Sequence, residues 1–196
     1  MRIALFGKIR AGKSITIEAL MEQFEKLGYT TEHIEFGDPV GEVVATVYPW
    51  LEGIKHRESY IEVGQHLRKL NKDIWVDCIR YKIQNSKADI VFVGGVRQKN
   101  EYEMLKSLGF TFIEVMADEE TRIRRCIEAG DKFERESFKD DTERVMDTFE
   151  SNYCILNIGS ENELKENVID MVKSLVFRGH FESNIKKNLF GRINSK

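Results

Sequence analysis

No apolar run in this sequence approaches the roughly 18–20 residues that a membrane-crossing helix needs. The opening stretch "MRIALFGKIRAGKS" has an apolar part far too short for a signal peptide, and glycines and charges follow at once. Cysteine is scarce: Cys78, Cys126 and Cys154 stand alone, with no CxxC and no Cys/His cluster, so a zinc site is not expected. Each has apolar neighbours and reads as a small core residue of a reducing, cytoplasmic protein. Charge of one sign is also missing. Against 30 Lys and Arg stand 33 Asp and Glu, a net charge of −3, so the balance does not call for nucleic acid as a partner and any anion site has to be built locally. There is no internal repeat and no low-complexity segment. The 196 residues suit one domain with a sizeable core and a small appendage.

What the chain does have is alternation. Short apolar segments at 2–7, 29–36, 89–93, 110–117 and 153–160 are separated by segments of helical periodicity. The helices are expected at 13–27, 39–50, 53–70, 71–86, 99–109, 118–130, 142–151 and 161–177, with Asn71, Asp118 and Ser160 as caps and Gly109 and Gly130 as stops. Strands that are apolar throughout, joined by connections that contain helices, predict an α/β protein with a parallel sheet covered on both faces.

The N-terminal segment carries the strongest chemical signal. "GKIRAGKS", Gly7 to Ser14, fits G-x-x-x-x-G-K-[ST], a phosphate-binding loop between an apolar strand and an amphipathic helix. Its backbone amides would point inward at phosphate oxygens, at a helix N-terminus whose dipole favours negative charge. Gly7, Arg10, Ala11, Gly12, Lys13, Ser14 and Ile15 are the expected ATP-binding residues. Lys13 would reach the β- and γ-phosphates and the Ser14 hydroxyl would bind Mg²⁺. Chance produces such a match at about one start in ten thousand or fewer.

Other features narrow the class. No N-K-x-D stretch reads a guanine base; "NKDI" at Asn71 is one residue short and falls on an expected helix. No acidic pair follows a strand, as a motor ATPase would need. A small-molecule kinase fits the size best, and its acceptor should be held between the second and third strands. That span offers Asp38, His56, Arg57, Tyr60, Gln65, Arg68 and Trp75. Arg68 shares a helix face with Gly64 and suits bidentate phosphate contact. For Arg57 the plain alternative is a solvated face, for Trp75 core packing, and for Asp38 a turn before Pro39. Asp38 also follows a strand, where a carboxylate can serve the acceptor or a metal-bound water together with Ser14.

Four stretches, "FGDPVGEVV", "HRESYIEVGQHLRKLNKDIW", "VGGVRQKNEYEMLKSLGF" and "NIGSENEL", resemble the phage-type deoxynucleoside monophosphate kinases, P-loop proteins of the nucleoside-monophosphate-kinase group with dephospho-CoA kinases as relatives. The resemblance spans about residues 1–176. It implies a three-layer P-loop NTPase sandwich with five parallel strands in order 2-3-1-4-5, and phosphoryl transfer from ATP with Mg²⁺ to a 5′-monophosphate. It places Arg97 on the transferring phosphate, Arg68 and Gln98 on the acceptor, Arg122 on the adenine ring, and the backbone of 157–160, Gly159 included, along the base. The acceptor-binding insertion would span 38–86 and the lid 126–141. Arg122 and Arg125 share a face of the helix entering the lid, with Lys132 and Arg135 in the loop, and Arg125 is the expected catalytic cation beside Lys13 and Arg97.

One departure stands out. The family leads one to expect aspartate where Gly95 stands. Here the strand "DIVFV" runs into Gly94 and Gly95 before Arg97. The arginine is kept and the acid is not, which leaves nucleotide binding with little transfer as an alternative to catalysis. Residues 177–196 form a basic tail with Phe177, Phe181, Leu189 and Phe190. Packing on the core, bridging a homodimer and touching nucleic acid are all open to it; a docked or frayed end is the plain reading.

Overall fold

A computed structural model describes residues 1–51, 57–130 and 141–193, with side chains at all of these except 51, 57, 141–143 and 178–193. Five strands form one parallel sheet: β1 (Arg2–Phe6), β2 (Thr31–Glu35), β3 (Ile90–Gly94), β4 (Thr111–Met116) and β5 (Tyr153–Leu156). Their order is β2-β3-β1-β4-β5, as expected. Arg2, Ile3 and Ala4 pair with Val91, Phe92 and Val93, and Thr31 through Glu35 pair with Ile90 through Gly94. The two central strands, β1 and β3, are almost wholly buried, which explains their unbroken apolar sequence.

Among the described residues the helices are α1 (Lys13–Lys26), α2 (Asp38–Val47), α3 (Arg57–Leu70), α4 (Ile74–Asn85), α5 (Lys99–Ser107), α6 (Glu119–Glu128), α7 (Asp141–Met146) and α8 (Glu161–Ile193). Strand alternation sends successive side chains to opposite faces. Ile3, Leu5, Ile90 and Phe92 therefore meet Ile17, Leu20 and Phe24 of α1 and Leu164, Val168 and Val172 of α8. Ala4, Phe6, Val91 and Val93 meet Ile79 and Ile83 of α4, Leu105 of α5 and Phe149 after α7. Each fully buried Phe, Leu or Ile contributes about 1.5–3 kcal/mol relative to exposure. A third cluster, Val40, Val44 and Trp75 with Tyr60, Val63 and Leu67 against it, ties α2, α3 and α4 together between β2 and β3.

Local chemistry moved some boundaries. Pro49 begins a short 3₁₀ turn, Pro49–Leu51, so α2 stops at Val47. The N-cap position of α4 falls at Asp73 rather than Asn71, with no side-chain capping bond; the Asn71 Oδ1 accepts the Asp73 N–H at 3.0 Å and makes a turn first. Asp118 does cap α6, its carboxylate accepting the Thr121 N–H at 2.7 Å. Ser160 and Glu163 form a reciprocal cap at the start of α8. That helix continues through the basic tail to Ile193, past the expected end at 177. Cys126 is buried as expected, whereas Cys154 is exposed: β5 is an edge strand and turns it outward. No helix of the described residues is long and apolar enough to cross a membrane.

Candidate active site

The loop between β1 and α1 closes on itself. The Ala11 N–H donates to the Lys8 carbonyl at 3.1 Å, Arg10 takes a left-handed φ of 59°, and the Lys13 Nζ donates back to the carbonyls of Gly7 and Lys8 at 2.7 and 3.0 Å. Ser14 is exposed on the first turn of α1, and Ile15 beside it is exposed as well. Gly12 has φ 95° and lies against Asn157, where a Cβ would come within 2.1 Å of the amide nitrogen; only glycine fits.

Asn157 is the strut behind the loop. Its side chain is buried, donates to the Ala11 carbonyl at 2.9 Å and accepts from the Arg125 Nη2 at 3.1 Å. Arg125 also reaches the carbonyls of Arg10 and Ala11 at 3.3 and 3.4 Å. These residues open onto a cavity of about 450 Å³ lined by Arg10, Gly12, Ile15, Arg125, Glu128, Asn157, Gly159 and Leu164. Its size suits a nucleobase and sugar beside the loop.

The two arginines of α6 sit at different depths. Arg122 is buried, with its Nη1 3.5 Å from the Ile9 carbonyl, so it braces the loop and offers no open face to a ring. Arg125 is the one lining the cavity. Helical phase put both on one face; how α6 docks on the loop decided which sits deeper. Arg124 turns to solvent towards Glu128, as its position implied. Lys132, Arg135 and the rest of the expected lid from 131 to 140 lie outside the described residues.

On the other side of the loop, β3 ends at Gly94 and the chain turns through Gly95, Val96 and Arg97 into α5. Glu101 holds this turn. Its carboxylate accepts the N–H groups of Arg97 and Gln98 at 2.8 and 3.0 Å. Burial pushes its pKa up, opposed by those two hydrogen bonds and by the charges of Arg68 and Arg97. The charges of Arg68 from α3 and Arg97 from the turn thus both act on one carboxylate. Arg97 is exposed and Arg68 half-buried.

Because burial raises the Glu101 pKa in the fold, the folded protein binds that proton more tightly than the unfolded chain. The stability this adds is complete below the ordinary value of 4.5 and is lost as pH rises through the folded pKa. Glu101→Gln removes the slope, so its melting temperature should gain on that of the wild type as pH rises from 4 to 8. A difference that is flat or narrows over that range would show that burial does not govern this carboxyl.

Two other expected acceptor residues, Trp75 and Tyr60, pack against the helices around them. Trp75 is buried in the third cluster, its indole N–H donating to the Gly64 carbonyl at 3.1 Å. It joins α4 to α3, and core packing explains it. The Tyr60 ring leans on α2, its hydroxyl 3.0 Å from where a Cβ of Gly41 would be. Gln65 is exposed on α3 and Gln98 is the residue before α5. Arg57 opens α3, but its side chain and all of His56 lie outside the described residues.

Asp38, expected to serve a metal-bound water or the acceptor, is exposed at the start of α2, and its Oδ2 accepts the Glu35 N–H at 2.9 Å. The carboxylate at the sheet end is Glu35. Its oxygens lie over β3, where a Cβ on Gly94 would be 2.2 Å from Oε1 and one on Gly95 2.5 Å from Oε2. The His33 Nε2 is 3.1 Å from Oε1. Sequence reasoning missed this pair. The available signal was His33 and Glu35 at i, i+2 on one strand, beside two glycines on the next.

No protein-family model matches the sequence, and no curated protein is similar to it. Solved structures do match in shape. TT1252 from Thermus thermophilus superposes with a TM-score of 0.56 at 18% identity, over 89% of this chain and 96% of that one. The shikimate kinase of Acinetobacter baumannii, in complex with shikimate, gives 0.57 at 15% identity, over 90% and 93%. The chain shares the fold of these structures, a five-stranded parallel sheet in order 2-3-1-4-5 between helices. A shikimate kinase from Bacteroides thetaiotaomicron agrees, at 0.51 and 12% identity over 89% of this chain and 98% of its own. At these identities the likeness concerns the P-loop fold alone.

Proposed function

We propose that this protein is an ATP-dependent kinase that transfers the γ-phosphoryl group to a nucleoside or deoxynucleoside 5′-monophosphate. The observation that carries this reading is that Arg97 follows the end of β3, the strand next to the phosphate loop, and that its charge and that of Arg68 from α3 both act on the buried Glu101 carboxylate in the first turn of α5. Two guanidinium groups beside a donor cradle suit an acceptor that itself carries a phosphate dianion.

On this reading Gly7 to Ser14 holds the donor phosphates, Lys13 leaves its carbonyl partners for the β- and γ-oxygens, and the cavity beside Arg125 and Gly159 takes the base. Residues 1–176 form the kinase domain, with 38–86 serving the acceptor. Arg97 faces the group in transfer and Arg125 helps neutralise the donor. Phosphoryl transfer asks little covalent chemistry of the protein, so positioning and charge stabilisation dominate. Ser14, exposed at the start of α1, would hold Mg²⁺, which shields the phosphate charge. Among the described residues no group of three His, Cys, Asp or Glu forms a metal cage, which suits an ion that keeps most of its waters.

The test is ADP release from ATP and Mg²⁺ with each monophosphate in turn, with dephospho-CoA and with shikimate. ADP that depends on a monophosphate is expected. A response to a hydroxyl acceptor alone, such as the shikimate seen in the Acinetobacter baumannii enzyme, would keep the kinase and replace the acceptor. No response to any of them overturns the kinase reading.

A further inference from the structure

The end of β3 lacks the acid that a magnesium-dependent phosphate site would be expected to carry, and its neighbour supplies one in the same space. Glu35 pairs in register with Gly94, and His33 with Phe92. Side chains of paired residues in a parallel sheet share a face, and Phe92 packs on the α1 side with Ile17, Leu20 and Phe24. Glu35 therefore stands on the same face as the helix that begins with Lys13 and Ser14. The phosphate loop leaves β1 three residues beyond Ala4, which pairs with Val93. Gly94 and Gly95 thus stand beside the residues leading into the loop, about 4.8 Å across the sheet.

The two glycines are what lets the carboxylate lie there. A side chain at either position would occupy the volume of its oxygens. Two neighbours hold it in place: Asp38 accepts the Glu35 backbone N–H, and the His33 ring meets Oε1. The carboxylate nevertheless stays about one-third exposed to solvent.

We infer that Glu35, reaching across Gly94 and Gly95, is the carboxylate of this site and takes the hydrogen bond of a Mg²⁺-bound water, a task that Asp38 does not perform. His33 is a positioning residue that orients it. The inference rests on the nucleotide-binding reading above, and its test separates the two.

ADP binding is measured by calorimetry with and without Mg²⁺, on wild type, Glu35→Gln and Asp38→Asn. Circular dichroism and melting curves check that each is folded. The wild type should bind ADP more tightly with Mg²⁺. Glu35→Gln should lose about tenfold or more of that gain, the worth of one charged hydrogen bond, without weakening ADP binding in the absence of the metal. Asp38→Asn should keep the gain. The inference is overturned if Glu35→Gln keeps the full Mg²⁺-dependent gain, or if Asp38→Asn is the variant that loses it. A wild type that binds no ADP under either condition instead removes the nucleotide reading, and this inference with it. Should Glu35→Gln fail to fold, Glu35→Asp replaces it: the acid is kept but shortened by one methylene, and the same partial loss of the Mg²⁺-dependent gain is required.

Discussion

Lys13→Ala is expected to cut acceptor-dependent ADP release by about 10²–10³-fold, the usual cost of removing one preorganised group from developing phosphate or oxyanion charge. In the structure Nζ is held by the carbonyls of Gly7 and Lys8, so the ammonium already sits over the cradle, and binding exchanges two carbonyl partners for phosphate oxygens. Those carbonyls lie in a partly exposed loop and water can replace the lysine. The loss of stability should therefore stay near 1 kcal/mol, or about 2–4 °C in melting temperature for a domain of this size. A coupled assay and a melting curve on the same variant decide between roles. An unchanged rate would show that the loop does not hold the reacting phosphates. A large fall in melting temperature would make the lysine a staple of the fold.

Placing the missing aspartate at position 95 is expected to harm the protein rather than repair it. Gly95 has φ 70°, where an L side chain costs about 1–2 kcal/mol, and its Cβ would lie 2.5 Å from the Glu35 Oε2 and 3.3 Å from the Phe36 nitrogen. Glu35 is flexible enough to swing aside, so the steric part of the cost stays modest. The displaced carboxylate then leaves the place in which the site uses it. Gly95→Asp should lower the melting temperature by about 4–8 °C and lower the phosphoryl-transfer rate as well. Gly109→Ala supplies the comparison, because Gly109 has φ 74° with nothing within 4 Å, so strain acts there alone. In a Glu35→Ala background the cost of Gly95→Ala should fall towards that of Gly109→Ala, with the Phe36 backbone contact remaining, and the difference between its costs in the two backgrounds measures the contact between the two residues. A Gly95→Asp protein that is more active than the wild type would show that the site lacks an acid, and that Glu35 does not act as one.

These outcomes bear on why the site divides into a legible half and a hidden half. The phosphate loop is contiguous, and its glycines, lysine and serine have fixed spacing, so the sequence displays it whole. Arg68 and Arg97 each lie in a motif-like stretch, but that charges from α3 and from the turn before α5 act on one buried carboxylate, Glu101, is a property of the fold. Arg122 and Arg125 were correctly placed on one face of α6, yet their roles depended on the depth at which that helix docks against Ile9 to Ala11. Periodicity carries no such depth. Trp75 looked like a ligand-facing aromatic, and its burial against α3 reflects how α2, α3 and α4 pack on one another.

By itself the sequence determined the parallel α/β class, the order in which strands and helices follow one another, and the phosphate cradle, because all three rest on local periodicity or on residues at fixed short spacing. Only the tertiary structure decided where the acid of the cleft comes from. Glu35 and the glycines at 94 and 95 are some sixty residues apart in sequence and become neighbours only when β2 and β3 pair in register. A glycine read along the chain marks a turn. Beside a paired strand it is also room for another residue's side chain, and that room is a property of the sheet.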